Sequence, residues 1–442
     1  MIRGQKDPCV TIRPWNGQRR GGCSSTNSAA TPGCESAASI SLPSSTSYAP
    51  NIILTLHSTT MAPIKIGIIG LGATGPTLGP GAWAVAAHLA SFTPSPNYEI
   101  VAVCNSSVES AQRSIAFHKL PPSTKAYGKP EDIAADPNVD LVVVSVIVTS
   151  HHKVAKPVLL AKKQLFVEWP LAASLREAED LARLAREANV RTIVGTQFRA
   201  DPAVQKVKEL VQGGAIGKVT STQIQYSPAM GPPDMWMDAA PYYLDFKSGG
   251  NEFTIAFGHL LDSFLYVLGD FETVKASLSK QYPIMKLFDM SHGQITNPAV
   301  PRTAPDHIFV QGVLQSGAVA SINYHRPGAL LGKNFRWLIS GSDGEIEFTL
   351  EGYLQIGNSE REIRIKTVHE PSEVRVVEWK GEMPKHVESV PFPGQNTALV
   401  WEAFASGREG VADFEDGVRV HRLLDRIARE AGSPYAEYVE EM

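Results

Sequence analysis

The hydrophobic and polar positions fall into two regimes. Between residues 64 and 195, short apolar runs alternate with stretches whose apolar residues recur at helical spacing. Ile64-Lys65-Ile66-Gly67-Ile68-Ile69, bounded by Pro63 and Gly70, has the β-branched content of a parallel strand covered on both faces. Residues 99–104, 140–148, 165–168 and 190–195 read as further strands of that kind. Between them the pattern predicts helices near 83–90, over about 151–163 and over 174–188, where Leu175, Ala178, Leu181, Ala182, Leu184 and Ala185 form one stripe. Strand and helix in alternation predict a doubly wound parallel sheet.

Beyond residue 197 the regime changes. Residues 201–213 have the pattern of an amphipathic helix. Residues 218–226, 306–313, 318–325, 335–340 and 345–350 have strand composition, divided by turns such as Gly341-Ser342-Asp343-Gly344. Residues 258–268 and 418–431 read as helices. The expected fold is therefore α/β: an N-terminal Rossmann sheet over 62–196, then an α/β domain over 197–442 with a large, open, mostly antiparallel sheet. Residues 1–61 are set apart as an N-terminal extension. Over 21–50 they are rich in Ser, Thr, Ala, Gly and Pro without either period, which predicts disorder. Their five basic and two acidic groups faintly suggest a transit peptide; the plainer expectation is that Met61 is the usual start.

Composition narrows the functional classes. The 442 residues carry a net charge of -4, of which the extension contributes +3 and the rest -7, so no broad basic footprint favours direct nucleic-acid binding. No window is long and apolar enough for a membrane span. Cys9, Cys23 and Cys34 lie in the extension and only Cys104 beyond it, which rules out a disulfide framework in the folded part and fits a reducing, cytoplasmic setting. The histidines form no H-E-x-x-H or similar set, so no metal is assigned.

The first strand runs into Gly70-Leu71-Gly72-Ala73-Thr74-Gly75, a G-x-G-x-x-G turn. Glycines there let the backbone approach a pyrophosphate seated on amides at a helix N-terminus, so Gly70, Gly72 and Gly75 are cofactor-binding candidates. The stretch Pro76-Thr77-Leu78-Gly79-Pro80-Gly81 delays the helix and lengthens the loop. The second strand ends in Asn105-Ser106-Ser107, where a carboxylate would select the ribose of NAD. Asn105, Ser106 and Arg113 thus favour NADP over NAD. The structural alternative is that Asn105 caps a helix and Arg113 is solvated.

These motifs resemble the glucose–fructose oxidoreductase, inositol dehydrogenase and rhizopine-catabolism family over about residues 64–432. Glu168-Trp169-Pro170 stands where that family has Glu-Lys-Pro. Gln197-Phe198-Arg199, Gly249-Gly250 with Gly258-His259, and Phe414-Glu415-Asp416-Gly417 also match. Three stretches, Leu165–Ala172, Phe257-Gly258-His259 and Val300–His307, are similar to the branch holding the yeast galactose-regulation corepressor. The resemblance implies a nicotinamide dinucleotide close to Glu168, Trp169 and His151. It also implies catalytic groups at positions that are Trp169, Ile255 and His259 here. An indole is no base, and Ile255 cannot orient a histidine. His259 remains the catalytic candidate, with Tyr243 and Lys247 as substitutes from the polar segment 238–247.

Two functions follow from the resemblance. One is an NAD(P)-dependent oxidoreductase acting on a sugar-like or other polyhydroxylated alcohol or carbonyl. The other is a catalytically silent dinucleotide sensor, cytoplasmic or nuclear, whose partner is a transcription activator. The usual redox employment of the fold tips the expectation to the enzyme. A homodimer or larger assembly is expected in either case.

Overall fold

The computed structural model describes residues 62–75, 81–228, 231–326, 328, 333–354, 360–369 and 373–442. The expectations for residues 1–61, and for residues 76–80 of the lengthened loop, lie outside the described residues. β1 (Ile64–Ile69), β2 (Tyr98–Cys104), β3 (Lys125–Tyr127), β4 (Leu141–Val144), β5 (Gln164–Glu168) and β6 (Thr192–Gly195) pair in parallel in the order β3-β2-β1-β4-β5-β6. The strand order reverses between β1 and β4, which opens a crevice at the carboxyl ends of the strands. The interior strands are buried along their length, as their unbroken apolar runs require. β3 has three residues, too few to leave a periodic signal.

The helix after the glycine turn departs from expectation. Residues Ala84–Leu89 take π-type turns before a short α-helical end, Ala90–Phe92. In an α-helix, residues five apart point about 140° away from each other. A π turn hydrogen-bonds i to i+5 and brings them towards one face. Trp83 and His88 are five apart, and both reach the same oxygen of Glu168.

The second half contributes β7 (Val219–Tyr226), β8 (Met235–Met237), β9 (Phe271–Ser279), β10 (Ile284–Asp289), β11 (Gln294–Pro301), β12 (His307–Leu314), β13 (Val319–His325), β14 (Phe335–Gly341), β15 (Gly344–Leu350), β16 (Arg361–Thr367) and β17 (Arg375–Val376). Eight of them form an open sheet in the order β17-β16-β15-β14-β7-β13-β12-β9, antiparallel throughout except for the β7–β13 pair. The register lines up Val310, Ile322, Ile224, Trp337, Phe348 and Ile363 across six strands on the inner face. All six are buried. The opposite face carries Gln223, Gln225, Gln311, Phe309 and Val319, as a two-residue period demands. β8, β10 and β11 form a small separate sheet.

Helices Leu175–Ala188, Phe257–Leu268 and Phe414–Ala431 join the halves. The last begins with Asp413, which caps Asp416 in a reciprocal box. Arg199, just after β6, locks this junction. Its guanidinium donates Nε to Asp262 Oδ2 at 2.9 Å and Nη1 to Asp416 Oδ2 at 2.8 Å, and a further nitrogen to Asp262 Oδ1. Burial opposes the charge, but Asp262 and Asp416 hold Arg199 above its ordinary value. Replacing Arg199 with Met strands Asp262, which is fully buried. The expected loss in urea unfolding is about 3–5 kcal/mol, with part of it recovered when Asp262 is also replaced by Leu. A loss below about 1 kcal/mol would show that the junction does not rest on this pair.

Candidate functional site

Gly70 closes β1 with φ +102°, and a Cβ there would sit 2.3 Å from the Ser145 carbonyl oxygen. No other residue fits without moving the β4 backbone. A Cβ on Gly81 would lie 2.4 Å from the Gly72 nitrogen, so the far end of the loop folds back onto the turn. Three side chains then hold the carbonyls of the turn. Asn105 Nδ2 and Ser114 Oγ donate to Leu71 O at 2.9 and 2.7 Å, and His118 Nε2 donates to Gly72 O at 2.7 Å. In a trans peptide the N–H points opposite to its carbonyl, so the amides of Gly72 and Ala73 face away from these anchors. Outward amides on a glycine backbone without side chains fit a pyrophosphate. Gly75 has open space where a Cβ would stand.

The residues at the end of β2 serve different ends. Asn105 is no helix cap; Ser107 caps Val108–Phe117, accepting from Ser110 N at 3.2 Å. Asn105 instead braces the turn. Ser106 and Arg113 are exposed. Sequence reasoning missed Ser114 and His118, whose signal is their spacing of nine and thirteen residues from Asn105 on one helix.

At the carboxyl ends of β4 and β5 the site is built around Glu168 and Trp169. Glu168 Oε1 accepts from Trp83 Nε1 at 2.7 Å and His88 Nε2 at 2.6 Å. Trp401 Nε1 donates to His88 Nδ1 at 3.2 Å. An indole nitrogen can only donate, so Nδ1 of His88 accepts and Nε2 carries the hydrogen given to Glu168. Trp169 is buried, and its Nε1 donates to the Thr254 carbonyl at 2.8 Å. Its ring lies over Gly258, where a Cβ would come within 2.7 Å, and 5.0 Å from the His421 ring. The indole is thus packed against the first turn of helix Phe257–Leu268.

The histidines separate into held and unheld. His151 has Nδ1 2.8 Å from Pro170 O and Nε2 3.0 Å from Val146 O, and burial lowers its proton affinity. A neutral imidazole carries one N–H, so the ring donates to one of these carbonyls and holds its other nitrogen beside the second. His259 is also buried, but its Nδ1 has no partner, and burial lowers its pKa to about 4, with Glu168 pulling weakly the other way. His421, which sequence reasoning missed, has an unpartnered Nε2 and a pKa lowered to about 3 by burial and by His151. Both nitrogens are sealed from solvent inside the fold.

Two expected substitutes stand elsewhere. Tyr243 is buried and stacks on Trp236 at 4.1 Å in the small apolar cluster with Leu244 and Met285. Burial and Glu252 hold its hydroxyl well above the ordinary value, the opposite direction from the lowered one that general acid work near neutral pH needs. Lys247 is half exposed and pairs with Glu441 near the carboxyl end of the chain, an ion pair that raises it. Ile255 packs against the Tyr243 cluster. A separate cleft of about 630 Å³, lined by Asp201, Arg361, Trp379 and Asn396, shares no residue with the glycine turn or His259. Among the described residues no group of three or more His, Cys, Asp or Glu could hold a metal.

Sheet order and turn define a Rossmann-type protein with a second, open-sheet half. Residues 64–196 match the model of an oxidoreductase family with an NAD-binding Rossmann fold, and residues 202–352 match the C-terminal domain of Gal80p. The chain belongs to this glucose–fructose oxidoreductase, inositol dehydrogenase and MocA family. It is 33% identical over 295 residues to the dehydrogenase aclE of Aspergillus oryzae, covering 64% of this chain and 76% of that one. It is 32% identical over 309 residues to the galactose/lactose metabolism regulatory protein GAL80 of Kluyveromyces lactis, covering 67% of this chain and 66% of the regulator. A super-repressor mutant of Gal80p from Saccharomyces cerevisiae superposes with a TM-score of 0.71 at 25% identity, over 84% of this chain and 96% of that one. Levoglucosan dehydrogenase, at 20% identity and a TM-score of 0.67, shares the fold.

Gly258→Ala forces a methyl into the Trp169 ring. It is expected to cost about 1–3 kcal/mol in urea unfolding, and a cost under 0.5 kcal/mol would mean the indole is not held there. The histidines predict a pH dependence. His259 and His421 are unprotonated in the fold down to about 4 and 3, whereas an unfolded histidine takes a proton near 6.5. The unfolded chain therefore binds more protons between those values, so stability is fully present above about 6.5 and falls as pH drops through that window. The loss attributable to His259 by pH 4 is of order 3 kcal/mol. Unfolding at pH 7.5 and 5 should show a smaller drop in His259→Gln than in the parent; an equal drop would refute the assignment.

Proposed function

We propose that this chain binds a nicotinamide dinucleotide on the glycine turn, NADP(H) in preference to NAD(H), and acts as a dinucleotide-responsive regulatory protein whose loaded form recognises a transcription activator. The observation that carries this reading is the use made of the polar side chains. Trp169 spends its only polar atom on Thr254, Tyr243 is stacked in an apolar cluster, and Lys247 is paired at the surface. Among the described residues no lysine or tyrosine hydrogen-bonds to His259, and Glu168, the carboxylate that acts on it, already accepts from Trp83 and His88. The likeness to the galactose regulators over both halves of the fold supports the same reading.

The NADP preference rests on Asn105-Ser106-Ser107, which brings no carboxylate to the end of β2, and on the exposed Arg113. Gly70, Gly72 and Gly75 would let the backbone approach the diphosphate, and the Gly72 and Ala73 amides, aimed outward by Asn105, Ser114 and His118, would hold it. Glu168 and Trp169 would border the nicotinamide end.

A second reading is favoured by His259 alone. A bound nicotinamide supplies hydride exchange at its C4, and a proton carrier must accompany it. His259 is unprotonated at neutral pH and can accept a proton but not deliver one, so the direction it suits is oxidation of an alcohol. In this reading the chain is an NAD(P)-dependent oxidoreductase acting on a CH–OH group of a sugar-like or other polyhydroxylated substrate.

Calorimetric titration of the full chain with NADPH and NADH is expected to give micromolar binding, tighter for NADPH, and weaker by about tenfold in His118→Ala. A panel of alcohols with NADP, and of keto-sugars with NADPH, is expected to give no turnover. Turnover abolished by His259→Ala would replace the regulatory reading with the oxidoreductase one. Failure of both coenzymes to bind would overturn both.

A further inference from the structure

We propose that His307 and His325 form a two-imidazole site for a divalent transition cation, Zn2+ or Cu2+, on the open face of the eight-stranded sheet. The site is independent of the dinucleotide reading and lies outside the crevice.

The two residues are directly opposite each other in the β12–β13 register. Alternation sends both to the face that carries Phe309 and Gln311, away from the covering helices, because their neighbours Ile308 and Tyr324 are fully buried on the other side. Their ring centres are 5.8 Å apart and the planes are inclined by 24°. Two imidazoles bound to one tetrahedral metal at about 2.0–2.1 Å place their ring centres roughly 5 Å apart. A small rotation of the His325 side chain closes that difference.

The hydrogen bonding selects the ligand form of His307. Asp306 is fully buried and every partner it has is a donor. Its Oδ1 accepts from Gln281 N at 2.8 Å and faces His307 Nδ1 at 2.7 Å, while Oδ2 accepts from Tyr282 N at 2.9 Å and faces Arg302 Nη1 at 3.7 Å. A carboxylate so surrounded accepts, so Nδ1 of His307 carries the hydrogen and Nε2 presents a lone pair. A histidine fixed through one nitrogen by a carboxylate, with the other free, is the usual arrangement around bound metals. The His307 side chain is 23% exposed, which leaves an entry path. His325 is partly buried on the same face. Among the described residues no third His, Cys, Asp or Glu completes the set, so water fills the remaining positions and the site is open.

The test uses the full chain, stripped with EDTA and with its thiols capped by iodoacetamide, titrated with Cu2+ alone in a non-coordinating buffer. The expected result is one equivalent bound with an electron paramagnetic resonance signal showing two nitrogen ligands. His307→Ala and His325→Ala are each expected to lose that equivalent, while His152→Ala, whose imidazole is paired with Asp180, keeps it. Asp306→Asn is expected to weaken binding by about tenfold without changing the stoichiometry. Should that buried substitution fail to fold, the two surface histidine variants still decide the matter. Unchanged Cu2+ stoichiometry in the His307→Ala/His325→Ala double variant, or a two-nitrogen signal that survives it, would overturn the proposal.

Discussion

The indole of Trp169 is the fixed point of this molecule. One N–H bond to the Thr254 carbonyl and one flat contact over Gly258 tie the end of β5 to the π-type segment Glu252–Ala256 and to helix Phe257–Leu268. Burying a ring of that size contributes about 2–3 kcal/mol, and its hydrogen bond about 1 kcal/mol more. The chemical consequence is larger than the energetic one. The residue at the head of the crevice has its polar atom facing the protein, so the crevice meets an apolar surface there. His259, one residue beyond Gly258, inherits that dryness, and its depressed proton affinity follows from it.

Both π-type segments serve the same end. In Ala84–Leu89 the wide turn brings Trp83 and His88 to one oxygen of Glu168; in Glu252–Ala256 it begins at the buried carboxylate of Glu252, which Arg302, Arg326 and Tyr324 surround. Each segment surrenders regular helix geometry to satisfy a buried acid. Unpaired, either acid would cost several kcal/mol. Glu168 thus holds two side chains through one oxygen, and Glu252 is enclosed by its own partners.

The strands and the glycine turn were legible because their signals are local. β-branched runs mark β1, β4 and β5, and Gly70 with Gly72 announces a close backbone approach. The alternation of Ile363 and Ile365 in β16 was equally readable and passed over, whereas β11 has no alternation to read, since every residue but one is exposed. The site was legible only in part, because its contacts are long-range. Trp401 lies 313 residues from the His88 it serves, and Glu441 lies 194 from Lys247. Nothing near Tyr243 in the chain announces that Trp236 will stack on it, and the polar segment 238–247 therefore reads as a substrate loop until the fold turns its tyrosine inward.

That inward turn shows why the fold alone does not fix function. A Rossmann sheet with a complete glycine turn carries an expectation of redox chemistry, but the sheet supplies only the seat for a dinucleotide. Chemistry needs side chains with spare valence at the crevice. Here Asn105, Ser114 and His118 are spent on the turn, His151 lies between two carbonyls, one oxygen of Glu168 is taken by Trp83 and His88, and Arg199 is spent on Asp262 and Asp416. What remain are two dry histidines, His259 and His421, near an indole. Such a crevice can register whether a dinucleotide is present through packing and hydrogen bonding, which needs no proton carrier, and that economy of free polar groups is the physical ground for preferring recognition over turnover.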